Sequence, residues 1–146
     1  MGFEFRETMS GSFHLAGSPA DERPMSFTIR ARSSRLRDFL RRPEVEIEGE
    51  IDAEGFADHR HLRGRLGLDV ARTRTLPYAF HFTANDGLEY AFEGQKTIHA
   101  GDLVESISVL PGRIVGGGGE AVGEALLRFD LRSDLVRFLR SFRVLR

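Results

Sequence analysis

The sequence predicts a mainly β chain, an antiparallel barrel or sandwich of about eight strands with two short helices. Three observations carry this expectation. Apolar and polar residues alternate through most segments, which is the period of a half-buried strand. Turn residues punctuate them, as at Asn85-Asp86-Gly87, Pro111-Gly112 and the four glycines 116–119. A strand-cap-helix unit also occurs twice: 27–34 followed by 35–41, and 127–134 followed by 135–140. The doubling predicts pseudo-two-fold halves around one core, with Phe39 and Phe138 beneath their helices.

Taken in order, Phe3 to Leu15 reads as a first strand, bent at Gly11, and residues 16–24 as a surface loop rich in turn residues and acids. The first repeat unit follows, with Ser33 and Ser34 as candidate helix caps, and Pro43 ends its helix. Val45, Ile47 and Ile51 alternate with glutamates, a strand with one wet face. His59 to Leu68 resumes the alternation with a bulge expected near Gly64, and residues 70–76 form a connection. Tyr78 to Ala84 and Leu88 to Gly94 flank a strong hairpin signal, because Asn, Asp and Gly accept the positive φ that such turns need. Glu105 to Leu110 reads as a further strand ending at Pro111, and the glycine run as a hairpin tip. The second unit follows, with Ser133 as its cap, and Phe142 to Arg146 closes the chain as a short strand.

At 146 residues the chain supports one core, so a single domain is expected over 1–146. Basic and acidic residues nearly cancel, to a net charge of -1, which gives no general attraction to nucleic acid or to an anionic membrane. Of the 21 basic residues only Lys96 is a lysine. The absence of cysteine excludes disulfides, thiolate nucleophiles and iron–sulfur ligation and fits a reducing compartment. The acidic start does not read as a signal peptide, and no segment has the length to span a bilayer, so a cytoplasmic location is expected.

Candidate chemistry is sparse. His59 and His61, two apart in a strand, share a face, and His81 on a neighbouring strand could complete a metal site; a solvated face is the preferred reading, and neither a metal nor a cofactor is expected. Glu46, Glu48 and Glu50 read as a polar exterior rather than a catalytic pair. Ser33, Ser34, Ser133 and Ser141 lack nucleophile-elbow glycines. Arg32 and Arg132 recur beside the caps and read as salt-bridge partners in preference to anion clamps. Twelve phenylalanines and two tyrosines supply an aromatic core that could also line an apolar pocket. Phe27, Tyr78, Phe80, Phe82, Tyr90, Phe92 and Phe129 are the candidate ligand-binding residues.

Met9-Ser10-Gly11 after an aromatic strand, the unit 27–40, residues 45–49, the hairpin ending in Phe92 to Lys96, and the tail ending in Leu139 to Arg143 together resemble an accessory module beside cholesterol-oxidase-like glucose-methanol-choline oxidoreductases. The dinucleotide-binding glycine fingerprint of those enzymes is absent here, so the resemblance implies an accessory module and transfers no catalytic residue. The expected function is therefore a non-enzymatic accessory or binding module, for a small apolar, lipid- or sterol-like ligand or for a flavoenzyme partner. The alternatives are a small metal-dependent enzyme using the histidines and a structural module that forms a homodimer.

Overall fold

The computed structural model describes residues 2–129 and 140–145. Eight antiparallel strands run as a meander: β1 (Gly2–Leu15), β2 (Arg23–Ser33), β3 (Glu44–Ala53), β4 (Ala57–Gly67), β5 (Thr75–Thr83), β6 (Glu89–Thr97), β7 (Val109–Val115) and β8 (Ala121–Arg128). The sheet closes because β1 pairs with β2 on one edge, from Phe3↔Ser33 to Phe13↔Arg23, and with β8 on the other, from Ser10↔Arg128 to Leu15↔Gly123. The protein is thus a closed eight-stranded antiparallel β-barrel with three short helices, α1 (Leu36–Arg41), α2 (Val70–Thr73) and α3 (Leu103–Ser108). A ninth strand, β9 (Arg143–Leu145), adds to the start of β1 at Gly2–Glu4.

Strict antiparallel order sorts the connections into two ends. The links 16–22, 54–56, 84–88 and 116–120 are turns at one end; α1, α2 and α3 all lie at the other, with β9 and Phe129. The turn at 84–88 forms as its residues dictate, with Gly87 at φ 84° and Ala84 and Leu88 bonded across it. The glycine run tips the β7–β8 hairpin, where Gly119 takes φ 86° and the Gly116 N–H donates to the Glu120 carbonyl.

Four local expectations are corrected. Of the strand expected at 105–110, residues 105–108 belong to α3, while Val109 and Leu110 open β7. Ser108 Oγ donates to the Glu105 carbonyl, and Ser106 Oγ donates to the Leu103 carbonyl while accepting from the His99 N–H, so local hydroxyl bonds to the backbone hold a short turn of helix. Pro111-Gly112 does not stop the strand: it lies inside β7, where the β6 ladder ends at Gly94↔Gly112 and Pro111 stands one residue beyond it. The bulge in β3–β4 falls not at Gly64, which pairs normally with Ile47, but at Asp52, opposed by both Asp58 and His59. His59 takes φ 49° there. Finally, α1 starts at Arg35 without a side-chain cap, because Ser33 is still in β2 and donates its hydroxyl to the Arg35 carbonyl.

Of the two segments expected to repeat, the strands are β2 and β8, which flank β1 on either side. Phe39 of α1 is half-buried and packs edge-on against Phe3 at 5.2 Å. The rest of the second segment, with Arg132, Ser133, Phe138 and the expected helix, lies outside the described residues apart from Arg140.

Alternation puts one side chain in two into the barrel. Phe5, Met9 and Phe13 enter from β1, Phe27 and Ile29 from β2, Ile47 and Ile51 from β3, Phe80 and Phe82 from β5, and Phe92 from β6, all almost fully buried. Large and small residues interlock. The inward positions of Gly94 and Gly112 are empty because the Phe92 ring lies over them; a Cβ on Gly112 would collide with that ring. Gly112→Val is therefore expected to lower stability by about 1–3 kcal/mol through overpacking, read as a lower urea midpoint at unchanged m.

Candidate functional site

The barrel's one charged cluster lies inside it. On β1 the inward row reads Phe5, Glu7, Met9, so Glu7 enters the core by alternation alone and is 7% exposed. On β6 the same logic sends Phe92 and Lys96 inward, and Lys96 is 3% exposed. Tyr78, 2% exposed, follows from the inward row of β5. The three meet. Tyr78 donates a short hydrogen bond to Glu7 Oε1, and Lys96 Nζ donates to Glu7 Oε2 at 3.0 Å. The ammonium also lies 5.2 Å from the centre of the Tyr78 ring and 5.7 Å from that of Phe129, so aromatic faces shield it from two sides.

The cluster lies beyond the ends of the described ladders. The β6–β7 ladder stops at Gly94, two residues short of Lys96, and β8 leaves β1 at Ser10, three residues short of Glu7. Phe129 follows β8 and donates its N–H to the Ser108 carbonyl at the end of α3. On β1, Ser141 Oγ accepts from the Arg6 N–H at 2.7 Å and returns its proton to the Arg6 carbonyl, so both backbone groups of Arg6 are satisfied on that side.

The electrostatics follow from burial. A carboxylate and an ammonium in a low-dielectric interior are tolerable only when paired and hydrogen-bonded, and here each has both. Burial, the neighbouring Glu7 charge and the hydrogen bond to it push the Tyr78 phenol well above its ordinary value. A phenol whose folded pKa is raised contributes stability that is fully present below the unfolded value, about 10, and lost as pH rises through the folded one. The other tyrosine, Tyr90, is also raised, by its hydrogen bond to Asp86. Alkaline titration followed at 295 nm is expected to show Tyr90 ionising in the folded protein and Tyr78 only as the chain unfolds. Tyr78→Phe should remove the second step.

Among the described residues every buried side-chain nitrogen and oxygen has a partner. Both Glu7 oxygens are engaged, one by the Tyr78 hydroxyl and one by the Lys96 ammonium. Glu7 and Lys96 were missed as a site from sequence. The available signal was that both stand in the inward register of strands whose neighbouring inward residues are apolar, Phe5 and Met9 on β1 and Phe92 on β6, and that Lys96 is the sole lysine.

The residues expected to surround a ligand are brought together, and they touch one another. Phe80 stacks on Phe92 at 4.9 Å, Phe27 meets Phe80 at 5.2 Å, Phe92 at 5.8 Å and Tyr78 at 6.1 Å, and Phe82 lies against Tyr90 at 6.3 Å. Phe129 sits with Lys96 at the helix end. The histidines do not converge. His59 is turned by its bulge toward Asp52, with 3.1 Å between Nδ1 and the carboxylate, while His61 opposes Glu50 and His81 opposes Arg63. Among the described residues no group of three or more His, Asp or Glu could hold a metal ion. Glu46, Glu48 and Glu50 lie on the outer face, where Glu48 meets Arg63 at 3.2 Å. Arg32 is exposed opposite Glu46.

Compared with protein-family models, with curated proteins and with solved structures, the chain gives no significant match.

Proposed function

We propose that the protein is a non-enzymatic accessory module that recognises its partner with its outer surface and not with its lumen. The observation that carries this is the filling of the barrel: among the described residues the aromatic rings occupy the interior against one another, and the buried charges of Glu7 and Lys96 satisfy each other. Eight strands make a barrel whose interior side chains can fill it, and here they do. A rigid, filled barrel is a scaffold for its edges and loops. The likeness of its segments to the module beside cholesterol-oxidase-like oxidoreductases supports a flavoenzyme as the partner.

The test has two arms. Fatty acids and sterols are titrated against thermal unfolding, with native mass spectrometry for carried ligand; no rise in midpoint and no adduct is the expected result. Gel filtration with light scattering then follows the chain mixed with a cholesterol-oxidase-like enzyme, where a complex is expected. A lipid that raises the midpoint, with the rise lost in Phe80→Ala, would overturn the reading in favour of a lumenal ligand.

A further inference from the structure

Basic side chains gather in one sector of the helix end of the barrel. The four turns at the other end, 16–22, 54–56, 84–88 and 116–120, carry Asp21, Glu22, Glu54, Asp86 and Glu120 and not one arginine or lysine. At the helix end the connections through α1 and α2, residues 34–43 and 68–74, carry six arginines against Asp38 and Asp69, while the connection through α3, residues 98–108, carries Asp102 and Glu105 and lies outside this sector. These arginines differ from those of the walls. Arg30, Arg63, Arg65, Arg113 and Arg128 each lie within 4.0 Å of a glutamate oxygen. Among the described residues, Arg35, Arg37, Arg41, Arg42, Arg72 and Arg74 have no ion pair and no side-chain hydrogen bond.

Exposed apolar side chains stand in the same arc. Neither α1 nor α2 has a buried residue, and Leu36 and Leu40 of α1 are 41% and 71% exposed. Beside them, across the start of β1, Phe142 and Val144 are 48% and 68% exposed. At the foot of α1 a groove of about 380 Å³ is lined by four arginines, among them Arg35 and Arg42, by Phe39 and by the acids Asp38, Glu44 and Glu46.

We propose that this arc, from β9 through α1 to α2, docks on the surface of an anionic phospholipid bilayer. Unpaired guanidinium groups beside protruding Leu36, Leu40 and Val144 match both layers of such a surface, phosphates outside and acyl chains beneath. The acidic turns lie at the far end, so repulsion from the same surface orients the barrel with its helices down. An acidic face of a protein would satisfy the arginines and leave Leu40 and Val144 without an apolar counterpart. The proposal rests on recognition by the outer surface and names that surface.

The test is co-sedimentation of the whole chain with vesicles. Binding is expected to mixed phosphatidylglycerol and phosphatidylcholine vesicles, not to phosphatidylcholine alone, and to fall steeply between about 0.1 M and about 0.5 M salt. The triple variant Arg35→Glu, Arg37→Glu, Arg41→Glu should weaken it on the order of 100-fold or more. Leu36→Ser with Leu40→Ser should weaken it with an unchanged salt slope. All these positions are exposed, so an unaltered thermal midpoint checks the fold. Failure to sediment with the anionic vesicles would overturn the proposal, and so would salt-sensitive binding to soluble polyglutamate without binding to vesicles. A complex with the oxidoreductase that persists in either case would leave the accessory reading standing and remove only the bilayer.

Discussion

Lys96→Met is expected to destabilise the protein by about 3–5 kcal/mol, because it leaves the Glu7 carboxylate buried with a phenol as its only partner. For a chain of this length that lowers the thermal midpoint by roughly 6–20 °C. Glu7→Gln in the Lys96→Met background removes the stranded charge and is expected to recover part of the loss, and Glu7→Leu with Lys96→Met, which replaces the pair by apolar residues, should recover more. If Lys96→Met alone were neutral at pH 7, the ion pair would not hold the helix end of the barrel closed.

The second large effect is expected at Phe80. It is 1% exposed and lies against the Phe27, Phe82 and Phe92 rings, so Phe80→Ala removes a ring from the centre of the stack and should cost about 3–5 kcal/mol. The cavity gives an independent readout. Benzene should raise the midpoint of Phe80→Ala and leave that of the native protein unchanged, since an apolar void binds an apolar guest and a filled lumen does not. Leu40→Ser, on an exposed helix position, is the control and should change stability by no more than about 0.5 kcal/mol. A native protein that binds benzene as tightly as the variant would show that the rings leave room for a ligand.

The strands were readable because each is a local pattern. Val45, Ile47 and Ile51 face inward and their glutamates outward as alternation requires, and the hairpin around Asn85-Asp86-Gly87 forms where the turn residues stand. Residues 105–108 were misread because Ser106 and Ser108 alternate with Ile107 and Val109 as in a strand, whereas three serine-to-backbone bonds and the position over the β6–β7 seam decide for helix. The bulge was misplaced because Gly64 carries a bulge's composition and Asp58-His59 does not, yet the turn at 54–56 sets the count of residues facing Asp52. The histidine pair fails as a site for the same reason: one extra residue in β4 swings His59 toward Asp52, away from His61's row.

By itself, then, the sequence determined the strands, their inward faces, the main hairpin and the aromatic nature of the core, since period and turn chemistry act over a few residues. Closure of β1 onto both β2 and β8, the meeting of Glu7 with Lys96 across 89 residues and with Tyr78 across 71, and the sorting of acidic turns from arginine-rich helices to opposite ends were decided only by the tertiary structure. These depend on which strands become neighbours. Pairing energies between strands are alike from one partner to the next, so the order of the sheet is selected by how all the inward side chains fill one barrel together.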